Sequence, residues 1–509
     1  MVFFLLAVPC GPALATAPAD APFGAPATAE PSPMHPRAAL SLVSPDPSVY
    51  RGRAAPALPP EPSDPAPKGR VAGDFEVIAI LIEFQDVAHS SSNTPSRYVS
   101  SLFGSGQNDS SVHNYYIENS YGALKVTGNV TAVWYKSDYN MAEYGADGSG
   151  IDDKNGAIYR LVTEAVRKAD PDVDFSRFDK NGDGFIDHLC VVHAGQGQEA
   201  SLNPNAIWSH KWYDYDEPLV DGVTAGPYTM LSEFSPVGTF AHELAHDFGL
   251  VDLYDQTMAT AGAGIWDLMA TGSWADSGNT PAHLSAWSKM KAGWLTPREL
   301  TMSTNDISLP AVEGSAAAFR IMIDPPNEYF LIENRQRTGW DRALPASGIL
   351  IWHIDERVRD NNDRTHRLVD VEEMDELYGD SPVDAGDPWH DSVQGFGPDS
   401  VPSSDAYAGY STSWSVYNIS ASGAAMDFSV RCTDVDMAIT WLEYGLFLPE
   451  KIPASIAATV TNQGGRPQTG VPVAIVVARG EVFFCWSFSM GLLSQERRNG
   501  DDFDPVLLE

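Results

Sequence analysis

The stretch Ser235-Pro-Val-Gly-Thr-Phe-Ala-His-Glu-Leu-Ala-His-Asp-Phe-Gly-Leu-Val-Asp252 predicts a short helix followed by a sharp return of the chain. Ser235 has a hydroxyl that can cap the helix, and Pro236 suits the first helical position, where no amide donor is needed. Gly249 suits the helix exit, because glycine adopts the left-handed conformation at little cost. We therefore expect one helix between these two boundaries.

Two histidines on this helix are spaced to bind one metal ion. His242 and His246 lie one turn apart, so their imidazoles point the same way. A catalytic zinc ion takes three protein ligands, and the third must come from the returning chain. Asp247 points about 100° away around the helix, and Asp255 needs a longer excursion. We therefore predict His242, His246 and Asp252 as zinc ligands.

Two further residues complete the predicted catalytic site. Glu243 directly follows the first histidine and is placed to take a proton from zinc-bound water. Downstream, Trp266-Asp-Leu-Met269 places a methionine where a Met-turn needs an apolar sulfur floor beneath the metal. The alternative is an ordinary amphipathic helix that happens to carry two histidines.

A second motif predicts a calcium site of EF-hand type. In Asp179-Lys-Asn-Gly-Asp-Gly-Phe-Ile-Asp187, oxygen ligands fall at the spacing of an EF-hand loop, with Gly184 at the turn. Position 12 is Cys190 where an EF-hand has glutamate, and the chain continues into an apolar strand. The alternative is a polar turn. The predicted calcium ligands are Asp179, Asn181, Asp183, Phe185 and Asp187.

Composition restricts the partners and the compartment. The chain has 509 residues, 43% of them hydrophobic, and a formal net charge of -36. This charge would repel a phosphate backbone and argues against nucleic acid as a partner. Four cysteines lie far apart and form no CxxC pair, so neither a disulfide framework nor a cysteine-bound metal is expected. Calcium demand and solubility both fit the excess of acidic residues.

The first part of the chain has the composition of an export signal and a leader. Residues 2–8 are apolar and Ala13-Leu-Ala15 offers small residues to a signal peptidase, so residues 1–15 are predicted to be a signal peptide of a secreted protein. The segment is too short to span a membrane. Residues 16–72 are rich in Ala and Pro and are predicted to be a disordered propeptide or linker. Lys68-Gly-Arg70 is the expected cleavage point.

The remaining chain alternates between helical and strand patterns. Strands are predicted at 77–84, 124–130 and 189–192, with helices at 112–121, 156–169 and 283–294. From about residue 300 the pattern is β, with strands at 318–323, 329–333 and 348–354. The predicted units are a catalytic domain (73–300), a β-rich extension of it (301–432), a partial Ig-like β module (433–478) and an irregular tail (479–509).

Three side-chain assignments stay open or are given as structural. His210 either reaches the active site or packs between neighbouring tryptophans, which is the favoured reading. His353 and Asp355 end an apolar strand and are expected to be structural. Asp384 and Asp387 lie in an acidic loop that either binds a second calcium ion or is simply solvated.

The motifs together resemble those of a known family. The run His242–Asp255, with Trp266–Trp274, resembles the secreted bacterial metalloproteases of the immune inhibitor A type, and the resemblance covers roughly residues 73–432. It implies an α+β fold: a metzincin-like zinc protease domain with a mixed sheet and an active-site helix. It also implies bound calcium, synthesis as a zymogen, zinc ligation by the two histidines and Asp252, and Glu243 as the base.

The expected function is therefore a secreted zinc metalloendopeptidase that hydrolyses peptide bonds in extracellular proteins or peptides. The alternative is a calcium-stabilised surface or adhesion protein with an inactive metal site. The intact Glu243 argues against this alternative, because a disused site has no reason to keep the base.

Overall fold

The computed structural model describes residues 70–107, 109–146, 158–214, 216–256, 259–324, 326–375 and 383–432, and the backbone of several strands outside these ranges. The described chain is a mixed α/β structure with several sheets and short helices. Within this part of the chain, no helix combines the length and apolar character needed to cross a bilayer.

The first sheet has five strands, and four of them are parallel. Its longest interior strand, Gly73–Glu83, lies between Leu124–Lys136 and Leu189–His193. Pro227–Ser232 follows as the fourth parallel strand, and His210–Tyr213 closes the edge in the antiparallel direction. The mixed sheet and the strands predicted at 77–84, 124–130 and 189–192 are therefore confirmed.

The strand Gly73–Glu83 supplies both faces of this sheet with apolar side chains. Val77, Ala79 and Leu81 pack on the face that carries the histidine-bearing helix. Their neighbours Ile78 and Ile80 pack on the opposite face, against the amphipathic helix near residue 160. Because successive side chains of a strand alternate, a continuous apolar run is what a strand covered on both faces requires.

Most described helices are short, and two are shorter than predicted, since the helix predicted at 112–121 ends at Asn119. The helix predicted at 283–294 spans only Ala286–Lys291, because Ser285 caps it by accepting the Ser288 amide at 3.2 Å. The α-helices are Pro95–Phe103, Val112–Asn119, Ala142–Gly145, Ile158–Ala169, Gln198–Ser201, Val237–Ala245 and Ala286–Lys291. Within the described residues, the 3-10 turns lie at Phe175–Phe178, His246–Phe248, Gly264–Trp266, Gly339–Ala343 and Thr271–Gly278, the last of which is broken by a kink at residues 275–277.

The boundaries of the histidine-bearing helix, Val237–Ala245, correct one prediction and confirm another. Pro236 occupies the N-cap position, not the first turn, and Ser235 does not cap the helix. The Ser235 hydroxyl instead accepts the Ser232 amide at 3.1 Å, so a turn at the preceding strand end takes the group predicted for the cap. Gly249 is left-handed, with φ +79°, as predicted.

Two further sheets follow in the chain, and the β pattern predicted from about residue 300 is confirmed. The second sheet has five strands in the order Val369–Val371, Gly348–Asp355, Glu328–Arg335, Phe319–Asp324 and Arg298–Glu299. The third sheet has three strands in the order Thr304–Pro310, Ala425–Cys432 and Trp414–Tyr417.

One buried cluster extends across the predicted boundary at residue 300, so the two predicted units share a hydrophobic core. Leu331, Leu350 and Trp352 of the second sheet belong to the same buried cluster as Phe240 and Leu244 of the histidine-bearing helix. The other face of the second sheet packs against the third sheet. The histidine-bearing helix is therefore enclosed between the first and second sheets.

Strands outside the main body are described by their backbone pairing alone. Met437–Glu443 pairs with Ala457–Asn462 within the predicted Ig-like segment, whose sandwich stays a prediction. Gln468–Arg479 pairs with Val482–Leu492 and with Val2–Ala7. The tail from residue 479 was predicted to be irregular but includes a strand, since its run of aromatic and β-branched residues suits a pleated backbone.

Within the main body, a small hairpin joins Leu219–Val220 to Val223–Thr224.

The close packing of the histidine-bearing helix gives a test of this arrangement. A Cβ at Gly238 would collide with the Ser273 carbonyl oxygen, so Gly238→Ala should lower the free energy of unfolding by about 1–3 kcal/mol. Helix propensity alone predicts the opposite sign, a gain of about 1 kcal/mol. Gly314→Ala is the control, because no atom lies within 4 Å of that added carbon. Denaturant unfolding of both variants measures the difference, and a stabilised Gly238→Ala would contradict the packing.

Candidate metal centre and catalytic site

The two histidines face one another at the end of the helix. His242 is fully buried in Val237–Ala245, and His246 opens the 3-10 turn that continues it. Their ring centroids are 5.0 Å apart, and the rings are nearly perpendicular, at 86°. The tighter last turn leaves the spacing that the sequence predicts intact.

Main-chain carbonyls fix the orientation of both rings. His242 Nδ1 donates to the Leu268 carbonyl at 3.0 Å, and His246 Nδ1 donates to the Leu250 carbonyl at 2.8 Å. A carbonyl only accepts, so each Nδ1 carries the proton in these bonds. Nε2 of each ring is therefore the nitrogen left to bind a metal ion, which replaces any proton held there.

Asp252 supplies the third donor. Its Oδ1 lies 3.1 Å from His242 Nε2 and 3.4 Å from His246 Nε2, and donor atoms of the three residues lie within 4.8 Å of one another. Asp247 pairs instead with Lys211, on the side predicted to face away. Asp255 accepts the Thr260 amide within its own loop. Of the three carboxylates, Asp252 is the one placed with the histidines.

The chain around Met269, which the sequence predicts to be a Met-turn, is bonded to this cluster through its main chain. Met269 is fully buried, and its carbonyl accepts the Leu253 amide at 2.8 Å, one residue beyond Asp252. Its own amide donates to Asp267 Oδ1 at 2.7 Å. The turn predicted as an apolar floor therefore also anchors the chain that carries the third donor.

Glu243 is buried beside the cluster, and one of its carboxylate oxygens has no hydrogen-bond partner among the described residues. It is 1% exposed, and among the described residues its Oε1 has no hydrogen-bond partner. Burial raises the pKa of Glu243 to about 7, opposed by charge on the two histidines. A carboxylate with this pKa and an unpaired oxygen suits a group that takes and returns a proton near neutral pH.

The three donors are strongly coupled. Burial opposes the charging of His246, but the neighbouring Asp252 carboxylate raises the pKa of His246 to about 9. Burial would likewise raise the pKa of Asp252, yet the positive histidine holds it well below its usual range. This pocket therefore favours positive charge at its centre, supplied by a proton or by a cation.

The residues fit a zinc ion. Two imidazole nitrogens and one carboxylate oxygen form a three-ligand set typical of catalytic zinc. The backbone carbonyls that receive each Nδ1–H provide the outer-sphere support that metal-bound histidines need. The donor chemistry, the ring orientation and the unpaired Glu243 oxygen all agree with a bound divalent cation.

The sequence patterns missed one polar group at this centre. Tyr254 donates its hydroxyl to Asp252 Oδ2 at 3.2 Å, and its ring lies 6.3 Å from that of His242. Burial raises the pKa of Tyr254 well above its usual value, so the phenol keeps its proton. Its position two residues after Asp252 is the only sequence signal, and no local periodicity assigns it a role.

The predicted calcium loop is a compact turn whose carboxylates face its own backbone. Asp179 accepts the Gly182 amide at 2.7 Å and the Gly184 amide at 3.0 Å. Asp187 accepts the Asn181 side-chain amide at 2.7 Å. Both glycines are left-handed, as a tight loop requires. Calcium binding by this loop stays a prediction.

His210 lies outside the metal centre. It is buried, donates from Nδ1 to the Trp208 carbonyl at 2.7 Å, and has Nε2 3.0 Å from the Tyr228 hydroxyl. Burial lowers its pKa to about 4, so the ring is neutral. These contacts agree with the favoured structural reading.

The remaining predicted groups lie in or near the second sheet. His353 and Asp355 pair with charged neighbours of that sheet, in agreement with a structural role. Asp384 and Asp387 approach Asp375, and carboxylate oxygens of the three lie within 4.8 Å of one another. Exposed acidic groups often gather without an ion, so the second calcium site stays an open alternative.

Comparison with known families identifies the part of the chain that contains this centre. Residues 65–295 match the family described as "Immune inhibitor A peptidase M6, catalytic domain". The match includes both histidines, Glu243, Asp252 and Met269.

Curated relatives agree with this match. The chain is 34% identical over 284 residues to "Immune inhibitor A" of Bacillus thuringiensis subsp. alesti, covering 45% of this chain and 41% of that relative. It is 31% identical over 268 residues to "Pre-pro-metalloprotease PrtV" of Vibrio cholerae serotype O1 (strain M66-2), covering 42% of this chain and 29% of that relative. The chain thus spans less than half the length of either protein.

The assignment of the third donor can be tested by metal content. Asp252→Ala removes a ligand atom and should lower zinc affinity at least tenfold, roughly the loss typical even of outer-sphere partners. Asp255→Ala is the matched control, because its carboxylate bonds within its own loop. Zinc content is measured after dialysis of both variants against a weak chelator. Full zinc in Asp252→Ala with loss in Asp255→Ala would reverse the assignment.

Proposed function

Residues 65–295 of this chain match the catalytic domain of the immune inhibitor A peptidase family, and from this premise we propose that the protein is a secreted zinc-dependent endopeptidase. The observation that carries the proposal is the convergence of His242, His246 and Asp252 beside the unpaired oxygen of Glu243. The substrates are proteins or peptides, as the metalloprotease name of one relative suggests.

His242, His246 and Asp252 would hold the zinc ion. When bound, zinc supplies Lewis acidity, which polarises a carbonyl group and makes water more acidic. The two histidines contribute neutral Nε2 donors, because their Nδ1 protons are committed to backbone carbonyls. Tyr254 keeps the Asp252 carboxylate in position by donating to its second oxygen.

Glu243 would act as the general base. Its Oε1 takes a proton from the water that attacks the scissile carbonyl and delivers it to the departing amine. Burial keeps bulk water from competing for this oxygen and keeps the two protonation states close in free energy near neutral pH. One carboxyl group can therefore serve both proton transfers.

Export and activation follow from the N-terminal composition. The apolar segment 2–8 and the Ala/Pro-rich segment 16–72 support a secreted precursor, and one relative is named a pre-pro-metalloprotease. Cleavage after Lys68-Gly-Arg70 would leave Val71 at the start of the mature chain. Val71 is already tied to the body of the fold, since its amide donates to the Ala292 carbonyl at 3.0 Å.

The loop 179–187 is proposed to bind calcium in a structural role. Its oxygen-bearing side chains recur at alternate positions, and Gly182 and Gly184 supply the left-handed turns that such a loop requires.

The role of Glu243 can be tested by an isosteric change. Glu243→Gln keeps the volume but cannot accept a proton, so kcat for casein should fall at least about a hundredfold while zinc content stays at the parent level. Glu299→Gln, an exposed carboxylate that pairs with Arg320, is the control and should leave kcat unchanged.

The same experiment separates the enzyme from its rival. A zinc-loaded parent protein without hydrolytic activity would favour the calcium-stabilised adhesion protein. Near-parental hydrolysis by zinc-loaded Glu243→Gln would instead exclude Glu243 as the base while leaving the enzyme class intact.

The calcium proposal predicts a calcium-dependent stability. Titrating calcium into zinc-loaded, calcium-free protein should raise the unfolding midpoint and slow autolysis, because a ligand at a hundred times its Kd stabilises the native state by about 2.7 kcal/mol. Asp179→Ala should abolish this rise. A parent protein whose midpoint ignores calcium would show that the loop is only a turn.

A further inference from the structure

The chain that follows Asp252 is held from outside the family-matched region. Leu253 is fully buried, and its two peptide groups are both engaged. Its amide donates to the Met269 carbonyl at 2.8 Å. Its carbonyl accepts the Ala263 amide at 2.8 Å and also the side-chain amide of Asn361 at 2.8 Å. Asn361 lies 66 positions beyond residue 295, where the family match ends.

Asn361 is fully buried, and both the nitrogen and the oxygen of its side-chain amide are hydrogen-bonded. Its Nδ2 donates to the Leu253 carbonyl and, at 2.8 Å, to the Val369 carbonyl. Its Oδ1 accepts the Val369 amide at 3.0 Å. Val369 begins the edge strand of the second sheet, so one side chain joins that strand to the residue next to Asp252.

Neighbouring side chains continue the same connection along the loop. Asn362 Oδ1 accepts the Gln256 amide at 2.7 Å, and Arg367 donates to the Thr260 hydroxyl at 3.2 Å. The segment 361–369 therefore contacts the loop after Asp252 at three separate points. Asn361 makes the contact nearest to Asp252.

The position of the Asp252 carboxylate depends on this backbone. Asp252 follows a left-handed glycine and lies outside any helix or strand, so regular hydrogen bonding does not fix its Cα. The anchors closest to it in sequence on the C-terminal side are the bonds of Leu253. Removing the Asn361 donor leaves the Leu253 carbonyl bonded to the Ala263 amide alone, and this weaker anchoring allows the carboxylate to move away from the two Nε2 atoms.

We propose that Asn361 is a positioning residue for the metal centre: by holding the Leu253 carbonyl, it keeps Asp252 within reach of His242 and His246. The inference rests on the proposed zinc site but assigns part of its affinity to the region after residue 300. Asn361 itself makes no hydrogen bond to the donor atoms of His242, His246 or Asp252, since its described partners are Leu253 and Val369.

Asn334 provides a matched control. It is also a fully buried asparagine of the second sheet, and its Nδ2 donates to two carbonyls, those of Leu309 and Gly423, at 3.0 and 3.1 Å. Its partners belong to the packing between the second and third sheets and not to the loop after Asp252. Loss of either asparagine removes comparable bonds, so a purely structural role predicts similar effects from both.

The test measures zinc affinity of the full chain by competition with a fluorescent chelator. Asn361→Ala and Asn361→Asp should each weaken zinc binding about tenfold or more, the loss typical of outer-sphere partners. Asn334→Ala should keep the parental affinity, although both alanine variants should lower the unfolding midpoint of the metal-free protein. With excess zinc, kcat of the Asn361 variants should return to near the parental value.

Asn361→Asp keeps the shape and the acceptor for Val369, so it decides the matter if the alanine variant does not fold. Parental zinc affinity in a folded Asn361 variant, with loss in Asp252→Ala, would overturn this inference alone. Parental affinity in Asp252→Ala as well would overturn the proposed metal site. Equal loss of affinity in Asn361→Ala and Asn334→Ala would show a general effect of stability and not positioning.

Discussion

The hydrogen bond from His242 Nδ1 to the Leu268 carbonyl is the constraint on which the candidate metal centre depends. It selects the tautomer and turns Nε2 towards Asp252. The next carbonyl, that of Met269, accepts the Leu253 amide and so sets the path of the chain that carries Asp252. Two successive main-chain carbonyls thus orient two of the three donors. The sequence pattern emphasises the methionine sulfur, whereas the described contacts of this turn with the cluster are hydrogen bonds of its polypeptide backbone.

Buried charged side chains hold the turn around Met269 in place. Asp267 accepts the Met269 amide and the Ser285 amide, which ties the turn to the start of the next helix. Arg335 of the second sheet donates to the Trp266 carbonyl at 2.7 Å and forms a two-pronged pair with Asp341. Buried charges stabilise a fold only when their hydrogen bonds are satisfied. Arg335 meets this condition by bonding a carboxylate and a carbonyl together, which directs its rigid fork at the turn.

The sequence predicted what local spacing encodes. Residues a few positions apart are enough to predict the strand at 77–84, the left-handed Gly249 and the facing pair His242 and His246. Ser235 failed as a cap because its hydroxyl serves the strand end before it. The helix predicted from residue 283 starts only at Ala286, because Ser285 accepts the Ser288 amide and caps it there. Asn361 lies 108 positions from the carbonyl it holds, and no periodicity reports a contact over that distance.

These connections bear on where the catalytic unit ends. The family match stops at residue 295, yet Leu331, Leu350 and Trp352 pack in the same core as the histidine-bearing helix. A chain ended there would keep both histidines and Asp252, but it would expose the apolar face that the second sheet covers and lose the Arg335 contact to the turn. Exposed apolar surface of that kind drives association or unfolding. The proposed metal ligands are therefore encoded in one segment, while the packing and hydrogen bonds that hold them together come partly from the segment that follows.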